Sequence, residues 1–319
     1  MALTVGVDVG GTKIASGVVD DQGTVLEQEQ VPTPDARGAD AAEAIAAAIA
    51  ELVTRHRRRH EVQAVGVGAA GFVDSRRATV LFAPNIAWRN EPLRDRVMEQ
   101  IDLPVVIEND ANAAAWAEFR FGAGEDVDDL ILLTVGTGIG GGIVLNGALH
   151  RGAFGVAAEV GHMRVVPQGG ERCGCGNRGC WEQYASGRAL VREARDLVQS
   201  GSPLAGALKE ACGGDVSALQ GPMITELARD GDLASKELVS DVGRWLGAGL
   251  ASLADILDPA VAVIGGGVSA AGDLLLGPLR ETFGRELSGR GHRPILQIRL
   301  AEMGNTAGIV GAGDLARQP

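Results

Sequence analysis

The chain has 319 residues, of which 45% are hydrophobic and only 3% aromatic, and it carries 41 acidic against 29 basic side chains for a net charge of −12. That length suits one large or two medium domains, with a core built from Val, Ile, Leu and Ala rather than from rings. The acidic balance argues against nucleic acid as a partner, because affinity there rests on neutralising phosphates.

The start, M-A-L-T-V-G-V-D, has neither the basic nor the apolar region of a secretory leader, and no apolar run approaches a membrane span. A cytoplasmic protein with no membrane partner is the expectation. Only Lys13, Lys209 and Lys236 interrupt the use of Arg as the basic residue, and Lys13 falls in the first glycine-rich loop.

Leu3 to Val9 reads as a short apolar strand, Ile14 to Val19 as a second and Gly23 to Val31 as a third. The intervening Asp8-Val9-Gly10-Gly11-Thr12-Lys13 is a hairpin turn, so it lacks the strand–loop–helix context of a Walker P-loop. Gly10 and Gly11 nevertheless expose backbone N–H groups, Thr12 and Lys13 add a hydroxyl and a point charge, and Asp8 is placed to hold a hydrated Mg²⁺. A plain tight hairpin is the alternative. Ala39 to His60 has Ile45, Ile49, Leu52 and Val53 at helical spacing and ends in a basic run, expected as a solvated helix C-terminus.

Val62 to Gly71 reads as a buried strand, followed by a short hairpin, Asn85 and Trp88, and a helix from about Glu91 to Gln100. Pro104 to Ile107 is a further buried strand that delivers Glu108-Asn109-Asp110-Ala111-Asn112 into a helix. Asp110 thereby falls where a strand ends and a helix begins, as a ligand-site residue or simply as the N-cap. Thr134 to Gly142, T-V-G-T-G-I-G-G-G, repeats the strand–turn–strand plan of the first loop, with Thr137 and Gly138 at its turn. Its G-x-G-x-x-G match is weak, because a strand rather than a helix follows. Helices are expected from Ser186 to Val198, Met223 to Arg229 and Asp232 to Leu257. Ala260 to Ile264 is a strand that opens into Gly265-Gly266-Gly267, where a flat ring can lie on backbone or a βα turn simply needs glycine. Ile295 to Leu300 and Thr306 to Arg317 close the chain as strand and helix.

Cys173, Cys175 and Cys180 are three of the four cysteines, and with His162 they form a Cys3His set suited to a structural zinc ion. Glu159 and Glu182 flank the set, so a metal there would fix two carboxylates. Free thiols, or two disulfides that draw in Cys212, are the alternatives.

In order along the whole chain stand D-x-G-G-T-K at Asp8–Lys13, G-A-A-G-F at Gly68–Phe72 and E-N-D-A-N at Glu108–Asn112. Then come the Thr134–Gly142 loop, E-x-G-H-M at Glu159–Met163, C-x-C-G-x-x-G-C-x-E at Cys173–Glu182 and G-G-G-V at Gly265–Val268. These motifs resemble the ROK family of repressors and sugar kinases, and within it the bacterial glucokinase branch. The resemblance implies an α/β, actin-like ATPase (ribonuclease H-like) fold, with two α/β domains flanking a cleft and a structural zinc site. On that basis residues 1–109 form a small domain, 110–300 a large one, and 301–319 a helix that returns to the first.

The resemblance further implies phosphorylation of glucose at its 6-hydroxyl by ATP and Mg²⁺, with Asp110 as general base. Asn85, Asn109, Asp110, Glu159, His162, Glu182 and Gly71 are then the sugar residues. Asp8, Gly10, Gly11, Thr12, Lys13, Thr137, Gly138, Gly265, Gly266 and Gly267 are the nucleotide residues, and His162, Cys173, Cys175 and Cys180 hold Zn²⁺. One ring nitrogen of His162 serves the metal and the other the sugar. A homodimer or homotetramer is implied too. A ROK kinase for another hexose, such as fructose, N-acetylmannosamine or N-acetylglucosamine, and a non-catalytic sugar sensor are the competing readings. The helix-turn-helix arm of the family's repressors is not expected, because the first strand begins at Leu3.

Overall fold

The computed structural model describes residues 2–35, 39–83 and 88–317; the expected sugar residue Asn85 lies outside them. Contacts divide the chain into two compact units. One comprises Met1–Leu132, Gly141–Ala158 and Ala301–Pro319, and the other Leu133–Gly140 and Glu159–Leu300.

The first unit opens with β1 (Leu3–Val9), β2 (Lys13–Val19) and β3 (Val25–Pro32), followed by α1 (Ala39–Arg57) and β4 (Val62–Ala69). A small sheet of β5 (Phe72–Val73), β6 (Val80–Ala83) and β7 (Trp88–Glu91) precedes α2 (Leu93–Met98). The expected helix from Glu91 is thus a short one, since β7 runs through Glu91 and Pro92 occupies the cap. β8 (Val105–Asn109) then leads directly into α3 (Asp110–Phe121).

The main sheet has the order β3-β2-β1-β4-β8. β1 is antiparallel to β2 and parallel to β4, and β8 is parallel to β4. Strand period decides what each face meets. Val5, Val7 and Val9 of β1 join Ile45, Ile49 and Leu52 of α1 in one fully buried cluster. Each such side chain contributes about 1.5–3 kcal/mol of burial.

Past α3 come β9 (Leu130–Val135), β10 (Ile139–Leu145) and β11 (Ala148–Leu149), then α4 (Glu182–Ala185), α5 (Gly187–Gln199), α6 (Gly206–Ala211) and α7 (Gly221–Asp230). α8 (Leu233–Leu257), β12 (Val261–Gly265), α9 (Asp273–Glu286), β13 (Gln297–Leu300) and α10 (Ala307–Leu315) complete the order. The second five-stranded sheet is ordered β11-β10-β9-β12-β13, with β12 and β13 parallel.

On the α10 side of β1, a Cβ at Gly6 would lie 1.8 Å from the Ile309 carbonyl oxygen, and one at Gly66 of β4 would lie 1.8 Å from that of Ala312. The helix therefore seats on the sheet backbone to backbone, and only glycine permits it. The division of the units departs from the expected break after Asn109. α3 packs extensively on α10, and the buried Glu118 carboxylate accepts the N–H groups of Ala123, Glu302 and Met303 at 2.8–3.1 Å. α3 therefore belongs with the first unit.

In the second unit α8 and α9 pack through Gly243 and Gly247, where a Cβ would lie within 2.5 Å of the Leu275 and Leu279 carbonyl oxygens. Trp181 is fully buried, presses on Gly249 and donates Nε1–H to the Trp245 carbonyl at 2.7 Å. Among the described residues no helix is long and apolar enough to cross a membrane.

Candidate active site

In the first unit the chemistry gathers where β1, β4 and β8 end. Asp8 points to the α10 side of β1, and a Cβ at Gly308 would stand 3.1 Å from its carboxyl carbon. The following turn is closed by Gly10 N–H donating to the Lys13 carbonyl at 3.0 Å. Thr33 holds it from outside, donating Oγ1–H to the Gly10 carbonyl at 2.7 Å. Gly11, Thr12 and Lys13 remain exposed at the tip.

Asp110 is the first residue of α3, and the cap is Asn109, whose side-chain oxygen accepts Asn112 N–H at 2.9 Å. This corrects the expectation that Asp110 caps the helix: β8 stays extended through Asn109, so the helix turns one residue later. The other end of the Asn109 amide donates to the Gly71 carbonyl at 3.1 Å. Gly71 is required there, since a Cβ would lie 2.5 Å from the Phe82 carbonyl oxygen.

Burial pushes the Asp110 carboxyl above its usual range, against hydrogen bonds from the Ala111 N–H and Asn109 that pull it down. Burial first, and the Asp110 charge second, push Asp8 up to about 6, opposed by Lys13. Two carboxylates in one neighbourhood, each desolvated, form an environment that favours protons or a cation.

Glu108 was passed over in the sequence. It is buried, accepts Asn109 N–H and Asn112 Nδ2–H at 3.1 Å each, and pairs with Arg151 Nε at 2.7 Å. It holds the turn that presents Asp110.

In the second unit a short 3₁₀ turn, Val160–His162, follows Glu159, whose carbonyl accepts His162 N–H at 3.1 Å. The preceding residue, Ala158, has φ of +67°, a left-handed conformation that costs a non-glycine residue about 1–2 kcal/mol. Strain next to Glu159 is a feature of functional loops.

One ligand atom from each of His162, Cys173, Cys175 and Cys180 lies within 4.8 Å of every other. Cys173 Sγ is 3.6 Å from His162 Nδ1, and Cys175 Sγ is 3.6 Å from Cys180 Sγ. Zinc–sulfur and zinc–nitrogen bonds meeting at a tetrahedral centre give edges of about 3.6–3.8 Å. The donor set and its spacing therefore fit zinc, with Nδ1 as the nitrogen ligand. All four cysteines are free, so the disulfide alternative falls away.

Glu182, at the start of α4, joins this cluster to the second glycine loop. Its Oε1 lies 3.1 Å from Cys173 Sγ, 3.2 Å from Gln183 Nε2 and 3.8 Å from His162 Nδ1. Its Oε2 would be only 2.4 Å from a Cβ placed on Gly138. The buried Trp181, between Cys180 and Glu182 in sequence, fastens the arrangement to α8.

A cavity of about 1180 Å³ opens beside the same loop. Gly136 and Thr137, Gly187 and Arg195 of α5, Pro222 of α7 and Gly267 are among its lining residues. Of the three glycines Gly265–Gly267 at the end of β12, Gly267 lines the cavity. Gly265 ends the buried strand, and Gly266 takes a φ of +84° beneath which Val135 packs. The α5 and α7 contributions went unseen in the sequence because an amphipathic helix beside a cavity has the same pattern as one beside a core.

Residues 4–319 match the model of the ROK family. The chain is 50% identical over 319 residues to the glucokinase of Streptomyces coelicolor, covering 100% of this chain and 99% of that protein. The crystal structure of a ROK family glucokinase from Streptomyces griseus, in complex with glucose and AMPPNP, is 53% identical, with a TM-score of 0.89 and full coverage of both chains. The ROK hexokinase of Thermus thermophilus is 39% identical with a TM-score of 0.80, covering 99% and 98% of the two chains.

Proposed function

The chain belongs to the ROK family, and we propose that it is an ATP-dependent glucokinase, transferring the γ-phosphoryl group of ATP to the 6-hydroxyl of glucose. Full-length identity of 50% to a glucokinase, with the Streptomyces griseus enzyme binding glucose and an ATP analogue, is the observation that carries the reading. The two α/β units and the sheet order of the first are in keeping with an actin-like ATPase fold.

In this reading Asp110 accepts the proton of the 6-hydroxyl as the sugar oxygen bonds to the γ-phosphorus, and the bond to the β–γ bridging oxygen breaks to release ADP. Burial raises its pKa, which makes the carboxylate a stronger base than an exposed one. Asn109, Glu159, His162 and Glu182 hold sugar hydroxyls, since ionised carboxylates accept several hydrogen bonds at once. Gly71 acts by fixing Asn109, and Asn85 belongs to the same assignment.

Gly10, Gly11, Thr12 and Lys13, with Thr137 and Gly138, take the phosphates, and Asp8 holds the Mg²⁺ that travels with ATP. Phosphoryl transfer needs little beyond such positioning and charge. The cavity beside Gly136 and Gly267 takes the nucleoside. Zinc on His162, Cys173, Cys175 and Cys180 supplies no reaction chemistry, since four protein ligands close its shell. Held by those four residues, it would fix the loop bearing Glu182.

A coupled assay of the purified protein with ATP–Mg²⁺ across a panel of hexoses tests the assignment. Glucose is expected to give the highest kcat/KM, and polyphosphate is expected to be a poor donor beside ATP. A higher kcat/KM for fructose, N-acetylmannosamine or N-acetylglucosamine overturns the substrate, and no turnover of any sugar overturns the activity. Assembly as a dimer or tetramer, in the cytoplasm, belongs to the same reading, and sedimentation of the purified protein checks the assembly.

A further inference from the structure

The last turn of α1 brings His56 against the β2–β3 hairpin. Although His56 sits within a run of arginines, it is fully buried. Its Nε2 meets Ser16 Oγ at 2.9 Å, while its Nδ1 is buried with no hydrogen-bond partner. That nitrogen faces Glu27 Oε2 at 3.8 Å, beyond hydrogen-bonding reach. Glu27 and Glu29 are two residues apart on β3 and so share one face of the strand. One ligand atom from each of Glu27, Glu29 and His56 lies within 4.8 Å of the others. His60 Nε2 adds a further nitrogen 3.0 Å from Glu27 Oε2.

We propose that His56 Nδ1 and the carboxylates of Glu27 and Glu29 form a second cation site in the first unit, taking a borderline divalent ion of the zinc class. Mixed imidazole and carboxylate donors select such ions over the harder Mg²⁺ and Ca²⁺. Ser16 supplies the outer contact that metal-binding histidines use: when its Oγ accepts the Nε2 proton, the Nδ1 lone pair is left toward the carboxylates. Burial holds the His56 pKa below its ordinary value, against the pull of Glu27 and Glu29, so the ring is in the neutral form that a metal needs.

Arg59 pairs with Glu27, and Arg55 Nη1 lies 3.1 Å from Glu29 Oε2. Their side chains are 70% and 40% exposed, and ion pairs so open to water hold their partners only weakly. They yield to an ion that bonds three ligands directly. His60, with a side chain 23% exposed, has room to swing in as a fourth. Occupancy ties the end of α1 to β2 and β3.

The test is zinc stoichiometry of the full chain after equilibrium dialysis, for wild type, Cys175→Ser, Glu29→Gln and the double variant. Glu29 is half-buried at the sheet edge, so its amide is readily accommodated. Glu29→Gln is expected to bind one ion fewer than wild type, Cys175→Ser to retain one, and the double variant to bind none. A Glu29→Gln protein with the wild-type count, or a Cys175→Ser protein without zinc, overturns the site. Should a variant not fold, Co²⁺ titrated into wild type decides the matter. This site is expected to add weak visible absorption without thiolate charge-transfer bands, and a titration showing only thiolate-bound cobalt overturns it.

Discussion

Glu182 spans two structures with one carboxylate: Oε1 stands 3.1 Å from the Cys173 sulfur, and Oε2 stands over the backbone of Gly138. The Cys3His cluster and the second glycine loop are therefore separated by a single side chain. Removing zinc is expected to act on sugar binding through that side chain, with no thiol touching the sugar. Cys175→Ser should raise the glucose KM roughly 10–100-fold, the usual loss when a metal's support is disturbed. Zinc content and glucose KM measured together check this, and a variant that binds one zinc fewer than wild type yet keeps the wild-type KM contradicts it.

The same relationship makes Gly138 sensitive. A methyl group there would meet Glu182 Oε2 at 2.4 Å, and the carboxylate cannot retreat without leaving Cys173 or Gln183. Gly138→Ala is expected to raise the glucose KM about tenfold, equivalent to about 1.4 kcal/mol. Thermal stability should change little, since the loop is at the surface of its unit. Steady-state kinetics with glucose varied at saturating ATP provides the measurement.

Asp110→Asn keeps shape and a hydrogen-bonding oxygen but removes the basicity. We expect kcat to fall about 10²–10⁴-fold, or roughly 3–5 kcal/mol of transition-state stabilisation. Glucose affinity should change far less. An effect on KM alone marks Asp110 as a binding residue instead, and turnover within about threefold of wild type moves the base elsewhere.

Asp8 is expected to give activity and stability opposite pH dependences. Its carboxyl is pushed up to about 6 from an ordinary value of 3.8, chiefly by burial. Magnesium needs the ionised form, so kcat/KM at limiting Mg²⁺ is expected to fall as pH drops through about 6. Folding shows the reverse sign. The folded state holds this proton more tightly than the unfolded chain, so the group's stabilising contribution is complete below 3.8 and is lost as pH rises through about 6. Denaturation of the magnesium-free protein across this range, for wild type and Asp8→Asn, should show that slope in wild type and a flatter one in the variant.

Much of the first unit is legible because its strands obey a strict period. Val5, Val7 and Val9 alternate with Thr4, Gly6 and Asp8, and the helical spacing of Ile45, Ile49, Leu52 and Val53 supplies the partner face. The same spacing extends to His56, one turn beyond Leu52, and that signal for a buried histidine is masked by the arginines around it. Asn109 and Asp110 could not be told apart as caps, because both residue types favour the position and only the reach of β8 decides. The cysteine cluster was readable from ligand chemistry alone. Glu108 with Arg151 was not, since a pair 43 positions apart leaves no local pattern.

The seating of α10 bears on how the molecule comes into being. Gly6 and Gly66 have no side chain of their own to cover the sheet, and the backbone of Ile309 and Ala312 does that work. Until those late residues arrive, one face of β1 and β4 stays wet, however early the strands have formed. Contacts between such distant stretches close slowly and late, because the chain loses loop entropy before the contact repays it. The first unit is thus begun at β1 and completed only at α10, with the segments of the second unit lying between them in sequence.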